Sequence, residues 1–158
     1  MQEFINNYSE DQRSKISFIW NGQKDYDKWG DHNFDFRREV LDLILDKKIK
    51  APDILIRDLF TIEAEFAREA FGAGYILADL GDLLLNQTGC KYIEEYFNGK
   101  EQSFDTENTV VPYGVSKDKL EYIVSELNIK LSTGYNMENI EYYIGYFEDY
   151  IEYKVKNE

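Results

Sequence analysis

The stretch that decides the fold is residues 52 to 71, which read PDILIRDLFTIEAEFAREAF. Pro52 suits the first turn of a helix, and Asp53 lies where the helix dipole favours a negative charge. With successive residues about 100° apart around a helix axis, the apolar side chains share one broad arc, beside a narrow polar strip that includes Asp58. The arc comprises Leu55, Ile56, Leu59, Phe60, Ile62, Phe66, Ala67, Ala70 and Phe71. An arc this wide needs several neighbours, so we predict a central helix over about residues 52–71.

The flanking sequence predicts a mainly α protein, a compact bundle of about five to six helices in a single domain over residues 1–158. Apolar residues recur at spacings of three and four, and capping residues border the segments. The expected helices are one headed by Asp35, two over about residues 75–87 and 91–97, one capped by Ser116 and ended by Gly134, and one capped by Asn136 that runs to about Lys154.

The sequence does not decide whether two segments form helix, strand or loop. Residues 16–20 read Ile-Ser-Phe-Ile-Trp, which fits either a short strand or the end of a helix, because so short a run has no decisive period. Residues 100–115 have no helical period, and 109–111 within them could form a strand. The pattern is compatible with a small two-stranded β element, about 16–20 and 109–111, but does not require it.

The composition describes a folded chain with a large excess of negative charge. Hydrophobic residues make up 43% and aromatic residues 16%, outside the range of disordered sequences, and the formal net charge is −13. Nucleic acids and anionic membrane surfaces are bound through Lys and Arg, so neither is expected as a partner. The charge favours a basic protein as the partner, unless it serves only solubility.

Cysteine content and hydropathy predict a cytoplasmic protein. Cys90 is the single cysteine, so no intramolecular disulfide can form. The first residues lack the features of a signal peptide, and no apolar run approaches the roughly 18 residues of a membrane span. We therefore expect neither secretion nor membrane insertion.

The sequence contains no assembled catalytic, metal or cofactor motif. His32 is the single histidine, and a Cys90–His32 dyad would lack any surrounding nucleophile motif. Residues 25–36 start like a calcium loop, but Trp29 and Phe36 stand where the fifth and twelfth positions need ligands. We therefore predict no metal ion and no cofactor, with Cys90 as a partly buried structural thiol.

Glu63 is the most conspicuous polar residue of the predicted core, because it lies near the middle of the apolar arc. A carboxylate there must be paired or kept protonated, since an unpaired buried charge is costly. The structural interpretation is an internal bond to another helix, and the alternative is a catalytic acid or base with Arg57 or Arg68 as an anion clamp. Asp79 and Asp82, three residues apart on the third predicted helix, indicate a solvated polar strip.

The C-terminal helix carries the candidate binding surface. From Gly134 to Tyr153 the chain has five acidic residues and no Lys or Arg, while tyrosines recur at spacings of four, four and three. Tyrosine offers a large contact area at low entropic cost and is enriched at interface hot spots, although these tyrosines could instead border the core. The candidate partner-binding residues are Glu138, Glu141, Tyr142, Tyr146, Glu148, Asp149, Glu152 and Tyr153.

These features lead to one main functional hypothesis and three alternatives. The main one is a non-catalytic bacterial protein of the immunity or antitoxin class, which neutralises a basic toxin through an acidic surface that carries tyrosines. The alternatives are a carboxylate-based enzyme centred on Glu63, an inhibitor that mimics DNA, and a helical adaptor or dimerisation module. Interleaved cations such as Lys47, Lys48 and Lys117 argue against DNA mimicry, because they break up the negative surface.

Overall fold

The computed structural model describes residues 1–20, 30–70, 72–135 and 137–157. These residues form a compact, mainly helical protein with eight α-helices and one 3-10 helix. In chain order the elements are α1 (Gln2–Asn6), the 3-10 helix (Glu10–Lys15), α2 (Phe34–Leu45), α3 (Asp53–Glu69), α4 (Tyr75–Thr88), α5 (Ile93–Lys100), α6 (Phe104–Thr109), α7 (Lys117–Ser132) and α8 (Ile140–Asn157).

Helix α3 is the buried central helix that its sequence predicts. Leu55, Ile56, Leu59 and Phe60 are fully buried, and the helix packs against α4, α5 and α6. It begins at Asp53, with Pro52 in extended backbone at the N-cap position. Burial of this wide apolar surface supplies the main driving force for the fold.

Two of the expectations about secondary structure are not confirmed. The described residues contain no strand; Trp20 makes a single isolated bridge with Asp31, and residues 109–111 pair with no strand. The segment expected to be irregular contains α6, which Ser103 caps by accepting a hydrogen bond from the Thr106 N–H at 3.2 Å. Three short helices therefore join the predicted ones, and the expected count of five to six is not confirmed. The predicted cap Asn136 lies outside the described residues.

Helices α7 and α8 pack on each other and are attached to the other helices by aromatic side chains. Phe97 of α5 stacks on Tyr143 of α8, with ring centroids 4.1 Å apart, and makes an edge contact with Phe147. Tyr96 stacks on Phe60 of the central helix, with centroids 5.8 Å apart. This cluster fixes which face of α8 points inward and which face meets solvent.

Close helix packing explains two glycines within helices. A Cβ atom added at Gly99 would lie 2.5 Å from Phe60 Cε1, and one added at Gly81 would lie 3.3 Å from Val110 Cγ1. Real Cβ contacts are essentially never as short as the first, so Gly99 permits the approach of α5 to α3. Among the described residues no helix is both long and apolar enough to cross a membrane.

Candidate functional site

The outer side of α8 carries the acidic residues that the sequence singled out. Glu141, Glu148, Asp149 and Glu152 on the helix, and Glu138 just before it, are all exposed. We call these five residues the acidic face. The opposite side of α8 is buried through Ile140, Tyr143, Ile144 and Phe147. The structure thus places four of the predicted carboxylates on the solvent side of α8, and the fifth, Glu138, is exposed just before the helix begins.

Most carboxylates of the acidic face have no counter-ion within the described part of the chain. Lys156 Nζ lies 3.3 Å from Glu152 Oε2, at i,i+4 spacing, and both side chains are mostly exposed. Such an exposed pair contributes little to stability. Glu138, Glu141, Glu148 and Asp149 form no ion pair with any described residue.

The four regularly spaced tyrosines of α8 are the three candidates Tyr142, Tyr146 and Tyr153 together with Tyr150, and they divide into two exposed and two half-buried residues. Tyr142 and Tyr153 are 49% and 48% exposed. Tyr146 is half-buried, with its hydroxyl 3.4 Å from the Val110 carbonyl oxygen and Lys100 Nζ 5.2 Å from its ring centroid. Tyr150 is half-buried against Tyr146, with centroids 5.0 Å apart. Tyr142 and Tyr153 therefore offer the accessible ring surface.

A fifth tyrosine, Tyr113, extends this surface from a loop that is distant in sequence. Its ring centroid lies 5.8 Å from that of Tyr150 and 5.7 Å from that of Tyr153, and its side chain is largely exposed. Lys154 Nζ donates to the Tyr113 carbonyl oxygen at 2.9 Å, which fixes the loop on α8. No sequence pattern connects residue 113 with α8, because the contact depends on how the loop folds back.

Burial and a nearby carboxylate favour the protonated form of the Tyr142 hydroxyl. Burial raises the pKa of Tyr142, and the nearby carboxylate of Glu101 raises it further. A neutral phenol can donate a hydrogen bond, and its ring face attracts cations. The exposed edge of α8 therefore offers negative charge and an aromatic ring side by side.

Glu63, the catalytic candidate, lies in a buried ion-pair cluster. Its Oε1 accepts a hydrogen bond from Arg37 Nε at 2.5 Å, and its Oε2 lies 3.4 Å from Arg38 Nη2. Arg37 is fully buried, and its Nη2 donates to Asp31 Oδ2 at 2.7 Å. Its Nη1 donates to the carbonyl oxygen of Ile16 at 3.1 Å. The buried carboxylate is thus paired with cations, which favours the structural interpretation.

A cavity of about 180 Å³ adjoins this cluster, which is a feature that the enzyme hypothesis needs. It is lined by Arg38, Glu63, Phe66, Ala67, Gly72 and residues 74–77. The suggested clamp residues are elsewhere: Arg57 binds Asp58 and Glu10, and Arg68 binds Glu69 and Gln102. The cavity therefore joins Glu63 to Arg38 and not to either predicted clamp.

Asp58, which the sequence assigns to a polar strip, is fully buried, and this prediction was wrong. The hydroxyl of Tyr8 donates to its Oδ2 at 2.7 Å, and Arg57 Nη2 donates to its Oδ1 at 2.7 Å. The N-terminal segment covers this side of α3 and supplies the tyrosine. The periodicity of α3 cannot reveal that Tyr8, which lies 50 residues earlier in the chain, packs over Asp58.

Asp82 was predicted to be solvated, and it is instead half-buried beneath the loop that leads to α7. Its Oδ2 accepts a hydrogen bond from the Gly114 N–H at 2.8 Å, while its Oδ1 is buried and has no hydrogen-bond partner among the described residues. The pKa of Asp82 is raised to about 6, mainly by burial and to a smaller extent by the neighbouring Asp79. Asp79 itself is exposed, as predicted.

The other sequence-derived candidates are not assembled into a site by the described residues. Cys90 is buried, which raises the pKa of its thiol, and His32 is exposed. No described group of three or more His, Cys, Asp or Glu is placed to hold a metal ion. Residues 25–29 of the calcium-like stretch lie outside the described ranges.

Comparisons with protein-family models, with curated proteins and with solved structures found no match to this chain.

Proposed function

We propose that the chain is a non-catalytic protein-binding protein of the immunity or antitoxin class. It binds a basic protein, such as a toxin, through the acidic face of α8 and the neighbouring tyrosines. One observation carries the proposal: four of the five exposed carboxylates have no ion pair with described residues, and two half-exposed tyrosines lie among them.

Most carboxylates of the acidic face lack a counter-ion within the described part of the chain, and a basic partner would supply one. Like charges held on one helix face repel each other, and a positively charged partner relieves that repulsion. Complementary charge speeds the encounter, whereas aromatic side chains supply contact area that stabilises the bound state. A surface that served only solubility would need the charge but not the tyrosines.

Helix α2 provides an internal comparison, because it also carries a row of exposed carboxylates. Asp35, Glu39 and Asp42 on the helix and Asp46 directly after it follow one another at spacings of four, three and four, and all are exposed. No tyrosine lies on α2, and its aromatic residues are Phe34 and Phe36. The α2 row therefore matches α8 in charge but not in exposed tyrosine.

The test uses two variants that remove the same charge from different helices. The α8 variant combines Glu141→Gln, Glu148→Gln and Glu152→Gln, and the α2 variant combines Glu39→Gln, Asp42→Asn and Asp46→Asn. Wild type and both variants are immobilised and exposed to a lysate of the native host at low and at high salt. We expect wild type and the α2 variant to retain the same basic protein at low salt, and the α8 variant to lose it. Equal loss in both variants would mean that only net charge matters, and would contradict the proposal.

The immunity or antitoxin role is tested with the captured protein. Expression of that protein alone should inhibit growth, and co-expression of the wild-type chain should restore it. The α8 variant should fail to restore growth, while the α2 variant should succeed. A captured protein that is harmless when expressed alone would contradict the toxin-neutralising role.

A further inference from the structure

The cavity beside the Glu63 cluster is large enough for a small organic molecule. Its volume is about 180 Å³, and its described lining residues lie on α2, on α3, at Gly72 and at residues 74–77. Protein interiors are normally packed without voids of this size. For comparison, an apolar cavity of about 150 Å³ holds a benzene molecule. A ligand of similar size therefore fits beside Glu63.

The inner wall of the cavity is apolar. Phe66, Ala67 and Leu77 line it and are buried, whereas Tyr75 is largely exposed and marks the side that opens to solvent. A bound water molecule needs several polar partners, which this wall does not offer. The inner wall therefore fits an apolar group better than it fits water.

The polar end of the cavity is formed by Glu63 and Arg38, and each has hydrogen-bonding capacity left. Glu63 Oε1 accepts a hydrogen bond from Arg37 Nε at 2.5 Å, but its Oε2 accepts none from a described residue. Arg38 Nη2 lies 3.4 Å from that Oε2, which is an ion-pair contact without a hydrogen bond. No N–H group of Arg38 donates to any residue that the structure describes. The cavity thus has a carboxylate acceptor and guanidinium donors on one side.

Neighbouring side chains hold both of these groups in place. The guanidinium of Arg38 lies over the ring of Phe34, with its Cζ 5.0 Å from the ring centroid. Glu63 is bound by Arg37, whose Nη2 donates to Asp31 Oδ2 at 2.7 Å. Groups that are fixed before a ligand arrives lose little conformational freedom when it binds. The polar end of the cavity is therefore preorganised.

The charges of the cluster decide which kind of ligand fits. Arg37 and Arg38 face the carboxylates of Asp31 and Glu63, so the cluster as a whole is neutral. A ligand with a single charge would leave a net charge in a mostly buried site, which is costly. A zwitterion brings a positive and a negative group together and keeps the balance. Its carboxylate suits the guanidinium, and its ammonium group suits the carboxylate oxygen.

We propose that this cavity is a binding site for an α-amino acid with an apolar side chain. The carboxylate of the ligand binds Arg38, and its ammonium group donates to Glu63 Oε2. Its side chain packs against Phe66, Ala67 and Leu77. The inference does not rest on the proposed function, since no residue of the acidic face lines the cavity.

Thermal unfolding with L-leucine as the probe tests the proposal, and three related compounds test its parts. With about 10 mM leucine and a dissociation constant of about 1 mM, the melting temperature should rise by about 4 °C. Isocaproate lacks the ammonium group of leucine, isoamylamine lacks its carboxylate, and glycine lacks its apolar side chain. Each should raise the melting temperature clearly less, because each leaves one part of the cavity without its partner.

Two variants locate the binding in the cavity. Arg38→Gln removes the guanidinium, so the affinity for leucine, measured by titration calorimetry, should fall by about tenfold or more. Ala67→Leu fills the apolar part and should abolish leucine binding without a change in charge. If Ala67→Leu overpacks the core and fails to fold, Arg38→Gln still decides, because Arg38 is only half-buried.

Arg68→Gln is the matched control for Arg38→Gln. Arg68 binds Glu69 and Gln102, and it does not line the cavity. The same substitution there should leave the affinity for leucine unchanged.

Three results would overturn the proposal: no rise in melting temperature with leucine, an equal rise with isocaproate or isoamylamine, or unchanged leucine affinity in Arg38→Gln. The proposed function is tested separately, by capture of a basic protein. If leucine binds in the cavity but α8 retains no basic protein, the cavity site stands and the proposed function is wrong. If the basic protein is retained but leucine does not bind, the function stands and the cavity site is wrong.

Discussion

The carboxylate of Asp82 on α4 binds the backbone of Gly114: its Oδ2 accepts a hydrogen bond from the Gly114 N–H at 2.8 Å. One turn further along α4, Asn86 Nδ2 donates to the Gly114 carbonyl oxygen at 3.2 Å. Helix α4 thus binds both the N–H and the carbonyl group of Gly114. Because the loop with Gly114 leads into α7, this contact helps to place the α7–α8 pair that carries the candidate site.

The first prediction concerns the pH dependence of stability that Asp82 causes. Burial raises its pKa from 3.8 to about 6, so the folded state binds this proton more tightly than the unfolded state. The contribution of Asp82 to stability is therefore greatest below about pH 4 and declines as the pH rises to about 6. Asp82→Asn keeps an acceptor for Gly114 and removes the charge. We expect it to be more stable than wild type at pH 7, by about 1 kcal/mol because the carboxyl is half-exposed.

Urea unfolding of both proteins between about pH 4 and pH 7 measures this difference. The gap in unfolding free energy should close toward the acidic end. The charged and titratable groups around Asp82 are Asp79 on α4, Lys154 on α8 and the phenol of Tyr96 on α5. Asp79→Asn is the matched control and should retain most of the pH dependence. A constant gap across the pH range would contradict the prediction.

The second prediction is that Gly114 tolerates no side chain while Asp82 is present. A Cβ atom at residue 114 would collide with Asp82 Oδ2, so Gly114→Ala must break the hydrogen bond or move the loop. We expect a loss of about 1–3 kcal/mol in the free energy of unfolding. In an Asp82→Ala background the collision is absent, so the same change should cost clearly less. Equal costs in the two backgrounds, measured by urea unfolding, would show that the two residues are not coupled.

The third prediction tests the structural role of Glu63 in the buried ion-pair cluster. Glu63→Gln leaves Arg37 buried with Asp31 as its remaining counter-ion, at 2.7 Å. Breaking a buried ion pair costs about 3–5 kcal/mol, and we expect a value toward the lower end because the amide oxygen still accepts a hydrogen bond. Urea unfolding gives this cost. Binding of the basic partner should stay unchanged, since Glu63 lies under α2 and away from α8; weaker binding by the folded variant would contradict the assignment.

The helices could be predicted from the sequence wherever the burial pattern is local. Apolar residues at spacings of three and four located α3, α4, α7 and α8, and Ser116 caps α7 as expected, accepting a hydrogen bond from the Lys119 N–H at 3.3 Å. Helix α6 was missed because its six residues are too few to show a period. Its Ser103 and Thr106, which bond to each other across three residues, are the signal that could have found it.

The buried polar contacts could not be predicted because their partners are distant in sequence. Arg37 reaches Glu63 across 26 residues, and Tyr8 reaches Asp58 across 50. A helical projection can place Glu63 in the core, as it did, but cannot name its partner. The exposed carboxylates of α8 could be predicted, because the helical pattern alone places a residue on the surface and no interaction partner has to be known.

The last prediction tests whether the tyrosines add binding energy to the acidic face. Tyr142→Leu keeps an apolar side chain but removes the ring and its hydroxyl, so the affinity for the basic partner should fall by about tenfold or more, as at an aromatic hot spot. Tyr122→Leu is the matched control: Tyr122 is 53% exposed on α7, close to the 49% of Tyr142, but its ring already carries Lys119 and its hydroxyl donates to Glu126 at 2.9 Å. Titration calorimetry should therefore show little change for Tyr122→Leu. Similar losses in both variants would mean that exposed tyrosines act without regard to position, and that α8 has no special role.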